Sequence, residues 1–214
     1  MIEKYSLAVR ILHWIHTAAF IILFITGMIF FLPGLATLTE HGWIHSLHRV
    51  GAGMFVIIPI IYLIIFPKRA INGIKMAFTW GKDDIGWIKA MPGYYFKNDN
   101  SQMPPQGFLN TGQKLWWLLV LLAGVAFAVT GPIMWFAKTS ASVEVLNRAI
   151  LIHDIAFFTS GAMFLVHIYN GVFHPSFNEA WAAITGGKIT KEYALKHHAK
   201  WYNEVSRKKR EKQR

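Results

Sequence analysis

Cysteine is absent from the chain, and acidic side chains are scarce, 11 Asp and Glu against 22 Lys and Arg in 214 residues. The first absence excludes disulfides, a thioether-attached c-type haem and any iron–sulfur cluster ligated by this chain alone. A redox centre here must be held by other ligands. Charged side chains are missing altogether from residues 11–39, 50–67, 115–137 and 155–178. A helix rising about 1.5 Å per residue needs roughly 20 apolar residues to cross a hydrocarbon core of about 30 Å, so each stretch is long enough or nearly so. No fixed-period repeat or low-complexity region interrupts them.

These stretches predict an all-α fold: a four-helix transmembrane bundle, one membrane-embedded domain over 1–214, with spans at about 11–31, 44–66, 112–136 and 145–172. The first stretch is too long for a signal-peptide core and lacks a small-residue cleavage site after it, so it reads as a retained span. Pro59 should kink the second span, and Pro67 should end it. Residues 68–111, with Trp80, Trp87, Tyr94, Tyr95 and the breakers Pro92-Gly93 and Pro104-Pro105, are expected along the interface. Of the basic residues, only Arg49, Lys138 and Arg148 fall on the side opposite the termini. That is the positive-inside pattern, which puts both termini in the cytoplasm. The basic cytoplasmic tail over 173–214 is expected to be soluble and helical, its run Arg207-Lys208-Lys209-Arg210 lying on anionic lipid or in water, and no nucleic acid is expected as a partner.

Ionisable side chains inside a span cost several kcal/mol unless paired or coordinated, on the order given by membrane-insertion scales. Four histidines form one scheme. His13 lies at the inner end of the first span, His48 toward the outer end of the second, and His153 and His167 toward the outer and inner ends of the fourth. From His153 to His167 the helix climbs about 21 Å and returns to roughly the same face. Topology alone pairs His48 with His153 and His13 with His167, and an imidazole on each side of an iron porphyrin suits electron transfer. Any one of these residues alone reads more readily as an interhelical hydrogen-bonding group; it is the four in complementary depth pairs that favour ligation. Gly51, Gly53 and Gly161 would leave room for a macrocycle. His16 and His45 sit one turn from His13 and His48 and could compete with them, whereas His41, His45 and His174 fall near the interfaces and His197-His198 in the tail. Arg10 is placed to meet a haem propionate or to serve as a plain positive-inside anchor. Asp154, the only acidic residue inside a predicted span, suits the propionates, a proton path or a partner subunit.

Arg10-Ile11-Leu12-His13-Trp14, Leu47-His48, Asn110-Thr111-Gly112-Gln113-Lys114, Leu151-Ile152-His153, Val166-His167-Ile168-Tyr169 and the tail Lys196-His197-His198-Ala199-Lys200-Trp201-Tyr202 resemble the gamma subunit, cytochrome b556, of respiratory formate dehydrogenase over nearly the whole chain. The histidine scheme is shared by several quinone-linked cytochromes b; the Asn110 motif and the tail are more specific. His16, His45 and Asp154 fall outside the family pattern, and residues 93–107 differ from it in detail.

The resemblance implies two non-covalent haem b groups on His13, His48, His153 and His167, with Arg10 at a propionate. It also implies a pocket for menaquinone or ubiquinone beside the inner haem, lined by Asn110, Gly112 and Gln113 with His167 behind. The implied partners are an iron–sulfur subunit and a molybdenum or tungsten catalytic subunit outside a bacterial plasma membrane. In that setting the chain carries electrons from formate oxidation inward to quinone, while formate chemistry stays on another subunit. A helix cap at Asn110 with Gly112 for close approach accounts for the same residues without quinone. Two other functions compete. One is the same cytochrome in a hydrogenase or thiosulfate-reductase complex. The other is a haem-free membrane anchor or transporter, against which stand the scarcity of acidic residues in the spans and the lack of paired broken helices.

Overall fold

The computed structural model describes residues 1–97, 99, 101–174 and 177–213. It is 81% helical, and four of its helices are long and apolar enough to cross a membrane. These are α1 (Leu7–Phe31), α2 (Trp43–Ile65), α5 (Thr111–Phe136) and α6 (Val143–Ile168), the last continued by a π turn over Tyr169–Phe173. Each begins or ends within a few residues of the expected span.

Local chemistry sets the ends. Pro33 opens a 3-10 turn (Pro33–Thr39) that closes α1, and Gly42, at φ 73°, turns the chain into α2 in a left-handed conformation that favours glycine. Pro59 lies within α2, and Pro67 occupies the first turn of α3 (Pro67–Phe78). The Ser142 hydroxyl accepts the Val145 amide at the start of α6. The expected break at Pro92-Gly93 is absent: α4 (Lys82–Lys97) runs through Pro92. Packing compensates the lost hydrogen bond there, because Trp87 is buried and meets Tyr95 edge to face.

In the bundle α1 packs on α2, α5 on α6, and α1 meets α6. Small residues carry these interfaces, with Ala19, Gly51, Ala149, Ala156 and Gly161 buried, while Ile25, Ile57, Ile64, Leu122, Val125 and Ile155 face outward. That inside-out distribution is what lipid as a solvent selects. α3 also presents Ile71, Ile74 and Phe78 to the outside at helical spacing, beside Lys68, Arg69 and Lys75, the make-up of a helix lying at a membrane surface.

Both termini gather at one end of the bundle, the capped end. The tail is helical, as expected, and its basic run at 207–210 is exposed, while its earlier part docks on the bundle: it folds into α7 (Phe177–Thr185), β2 (Lys188–Ile189), α8 (Lys191–His197) and α9 (Ala199–Glu211), and β2 pairs antiparallel with β1 (Ile2–Glu3). The principal hydrophobic cluster lies here, where Ala183, Ile189 and Ala194 pack with Ile2, Tyr5, Tyr193, Trp201 and Tyr202. A lipid-exposed bundle has little water to exclude, so the water-driven burial is concentrated in the cap. Lys4 is buried, donates to the Phe108 carbonyl and lies over the Phe108 and Trp201 rings at 4.2 and 4.6 Å.

His174, placed near the interface by the sequence, is enclosed instead, and so are the two histidines of the tail. His174 packs against Tyr94, Tyr95 and Tyr169. The ring of His197 lies 4.4 Å from that of Tyr193, and His198, 2% exposed, donates Nδ1–H to the Gly107 carbonyl at 2.8 Å. Burial pushes the His198 imidazolium down to about 3, helped by nearby Lys4, and His197 down to about 4. The docked tail therefore holds neutral imidazoles that titrate near 6.5 when released. Docking is at full strength above that value and is lost as the pH falls from about 6.5 toward about 3. Proteolysis within the tail is accordingly expected to be faster at pH 5 than at pH 7.5, and a rate independent of pH would contradict this burial.

Candidate paired-histidine sites and the head of helix α5

Four imidazoles meet in two pairs at two depths. His48 on α2 and His153 on α6 have ring centroids 6.5 Å apart at the far end of the bundle. His13 on α1 and His167 on α6 are 6.2 Å apart at the capped end. These are the two pairs that topology predicts, and the competing histidines pack on phenylalanine rings beside them. His16 stacks on Phe55 at 4.1 Å and His45 packs on Phe30 at 4.8 Å.

Between the two levels, α1 and α6 are joined by phenylalanines. Phe20 meets Phe164 at 4.8 Å, and Phe24 meets Phe157 at 5.4 Å. Glycines permit the approach: a Cβ on Gly161 would stand 2.7 Å from the Phe24 ring, and one on Gly27 2.9 Å from Phe157. The space at Gly161 is therefore filled by Phe24, and that at Gly51 by Ile22 and Leu23, while Gly53 faces an open surface.

The far pair is anchored by hydroxyls that sequence reasoning missed. Thr26 Oγ1 on α1 lies 2.7 Å from His48 Nδ1, and Thr130 Oγ1 on α5 lies 2.8 Å from His153 Nδ1. Every transmembrane helix thus contributes one residue to this level. The capped-end pair differs. His13 Nδ1 is buried with no hydrogen-bond partner among the described residues, and His167 stacks face-on with Trp116 at 4.5 Å. Arg10 donates to the Thr185 carbonyl beneath the α7 turn, and its buried Nε lacks a partner among the described residues.

Two imidazole–iron bonds of about 2 Å, with about 1 Å more from each nitrogen to its ring centre, span roughly 6 Å. Both separations fit that span. Among the described residues no three His, Cys, Asp or Glu side chains gather as a metal site. Two imidazoles at this separation would suit an iron whose remaining positions a macrocycle supplied.

The comparisons with known proteins agree in kind. A family profile described as prokaryotic cytochrome b561 matches residues 4–187. The chain belongs to that family. Cytochrome b561 is by name a haem b protein, and the residues present fit the group. Among curated proteins, the formate dehydrogenase cytochrome b556 subunit of Haemophilus influenzae is 31% identical over 209 residues, covering 95% of this chain and 83% of that protein. The cytochrome b556(fdo) subunit of Escherichia coli K12 is 28% identical, covering 95% of this chain and 93% of that protein. The nitrate-inducible cytochrome b556(Fdn) subunit of the same strain is 24% identical, covering 97% and 93%.

The head of α5 in this cytochrome b561 member is built as a capping box. Asn110 Oδ1 accepts the Gln113 amide at 2.8 Å, and Gln113 Oε1 accepts the Asn110 amide at 3.0 Å. A Cβ on Gly112 would meet the Trp87 ring at 3.1 Å, so glycine lets α4 close on α5. Thr111, fully buried, takes Gln106 Oε1 on its amide and lies 2.8 Å from Asp84 Oδ1 through its hydroxyl. Lys114 Nζ donates to both Asp84 oxygens at 2.8 and 2.9 Å and to the Thr79 carbonyl at 2.8 Å.

Asp84, overlooked in the sequence, is thus the partner that explains Thr111 and Lys114. Burial would raise its carboxyl, but Lys114, Thr111 and the Gly81 amide outweigh this and hold it below the usual carboxylate range. The pair is 14% and 8% exposed, so removing one charge strands the other. Asp84→Ala is expected to cost about 3 kcal/mol, read as a lower thermal midpoint of the solubilised protein. Asp84→Ala with Lys114→Met should recover most of that loss; a double variant no better than the single would refute the stranded-charge account.

Proposed function

We propose that this chain is the membrane cytochrome b subunit of a formate dehydrogenase, linking an iron–sulfur partner at the far end of the bundle to membrane quinone at the capped end. The observation that carries the reading is the pair of imidazole pairs, 6.5 and 6.2 Å apart at two depths of one bundle. The b556 subunits aligned along nearly the whole chain supply the enzyme and, by analogy, a molybdenum or tungsten catalytic subunit.

In this reading haem b, when bound, supplies reversible one-electron chemistry at an iron that needs no open coordination position. His48 with His153 and His13 with His167 hold the two groups, each imidazole offering one neutral nitrogen. Arg10, with a buried guanidinium nitrogen to spare, offers a charge-assisted hydrogen bond to a propionate. The phenylalanine contacts between α1 and α6 exclude water from the interval between the two levels.

Menaquinone or ubiquinone is assigned to the head of α5. The capping box fixes both side-chain oxygens on backbone amides; the Gln113 side chain also hydrogen-bonds the Tyr5 hydroxyl, and the Asn110 N–H2 group is the donor offered to a quinone carbonyl. Gly112 seats the Trp87 ring against the head of α5, and Trp116, one turn on, connects this place to the His167 ring. The excess of Lys and Arg at the capped end makes that end cytoplasmic, so quinone takes its protons from the cytoplasm. α3 then lies on the inner leaflet of a bacterial plasma membrane.

The test is haem b per polypeptide in the chain purified from its native membrane, with reduced-minus-oxidised spectra of the wild type, His48→Ala and His167→Ala. Two low-spin haems, with one lost in each variant, are expected. No haem in the wild type would sink the cytochrome reading in favour of an anchor or transporter.

A further inference from the structure

The two histidine levels are not equivalent, and hydroxyl protons make the difference. Thr26 Oγ1 lies 2.7 Å from the Ile22 carbonyl as well as 2.7 Å from His48 Nδ1. Thr130 repeats the arrangement, 2.6 Å from the Ala126 carbonyl and 2.8 Å from His153 Nδ1. A carbonyl oxygen cannot donate, and two oxygens approach this closely only with a proton between them. Each hydroxyl therefore spends its single proton on its own helix and can only accept from the imidazole. His48 and His153 must be the donors, so Nδ1 carries the proton in both and Nε2 keeps its lone pair. Thr26 and Thr130 are 1% and 3% exposed, in an apolar span where water does not compete.

We infer that Thr26 and Thr130 are positioning residues that lock His48 and His153 in the ligating tautomer and give the far haem the lower reduction potential of the two. A hydrogen bond from the second ring nitrogen raises the basicity of a ligating imidazole. A more basic ligand favours ferric over ferrous iron. At the capped end His13 Nδ1 has no such partner among the described residues, and the neighbour identified for His167 is the face of Trp116. Electrons entering at the far end then run downhill toward the capped end. The inference rests on the haem-binding reading above and goes beyond it in assigning the order of potentials and the residues that set it.

The experiment is a redox titration of the haems in the intact complex, for the wild type and for Thr26→Val, Thr130→Val and Thr26→Ser. Valine keeps the shape and removes the acceptor; serine keeps the acceptor. Each valine variant should move the low-potential haem upward and leave the other unchanged, while the serine variant titrates as wild type. Unchanged potentials in both valine variants, a shift of the high-potential haem, or an equal shift in serine and valine would each overturn the assignment. A second measurement needs no threonine variant: the haem lost in His48→Ala must be the low-potential one, and finding that His167→Ala removes it instead refutes the ordering. A wild type without haem defeats the parent reading, whereas two haems with threonine-insensitive potentials defeat this inference alone.

Discussion

An imidazole nitrogen buried between lipid-facing helices is costly unless it finds a partner, because hydrocarbon supplies none. Placing one ring opposite another serves a metal only if the remaining nitrogens are either hydrogen-bonded or shielded. At the far end this draws one residue from every span: His48 and His153 face each other, and Thr26 and Thr130 reach in from α1 and α5 to hold them. Threonine suits the task because its hydroxyl can return its own proton to the carbonyl one turn back, leaving no donor unsatisfied in the apolar span. The relative depth and rotation of all four helices follow from that single level. Small residues then set how closely the helices approach, with Gly27 and Gly161 receiving phenylalanine rings from the opposite helix.

The capped end is held by a different physics. Lipid gives helices no hydrophobic reason to associate, whereas water at the membrane surface does. β1, α7, β2, α8 and α9 use that difference to build a small aqueous-type core against the bundle end, around Ile189 and Ala194. The Asp84–Lys114 pair adds a polar pin between α4 and α5, and its cost of desolvation is offset by three further hydrogen bonds to the carboxylate and the ammonium. The same pin fixes the head of α5, where Asn110 and Gln113 sit.

Span positions and the meeting of histidines were legible in the sequence because both depend on quantities that a sequence carries directly: run length, and depth along a helix of fixed rise. The threonines were not legible. A threonine in an apolar run is ordinary, and only the separation of Thr26 from Ile22 and His48 in space gives it a role. Asp84 was hidden for a related reason, since its partner lies 30 residues away across a loop. The helical character of the tail was legible, but its docking was not, because basic residues dominate its composition while Tyr193, Ala194, His198 and Trp201 form the face that docks. Gly51 and Gly161 were read as room for a macrocycle, whereas a glycine on a membrane helix is as often room for a neighbouring side chain. Pro92 was read as a break because propensity ignores the packing of Trp87 and Tyr95 that offsets it.

The Asn110 motif shows why a structural and a functional account of the same residues need not compete. A capping box needs only acceptors from its two side chains, because a helix N-terminus is short of acceptors and rich in N–H groups. Once Asn110 Oδ1 and Gln113 Oε1 are committed to backbone amides, each side chain is fixed in orientation, Gln113 meeting the Tyr5 hydroxyl and Asn110 keeping its N–H2 group for a ligand. The ambiguity between oxygen and nitrogen that attends an isolated amide disappears, since reversing either one would set donor against donor. What the cap leaves over is an oriented Asn110 donor beside the positive end of the α5 dipole. That is the electrostatic setting in which a carbonyl gaining negative charge is stabilised. On the proposed function, then, the cap is the device that aims the quinone-binding amide, and its loss would disorder the site before it removed a single contact.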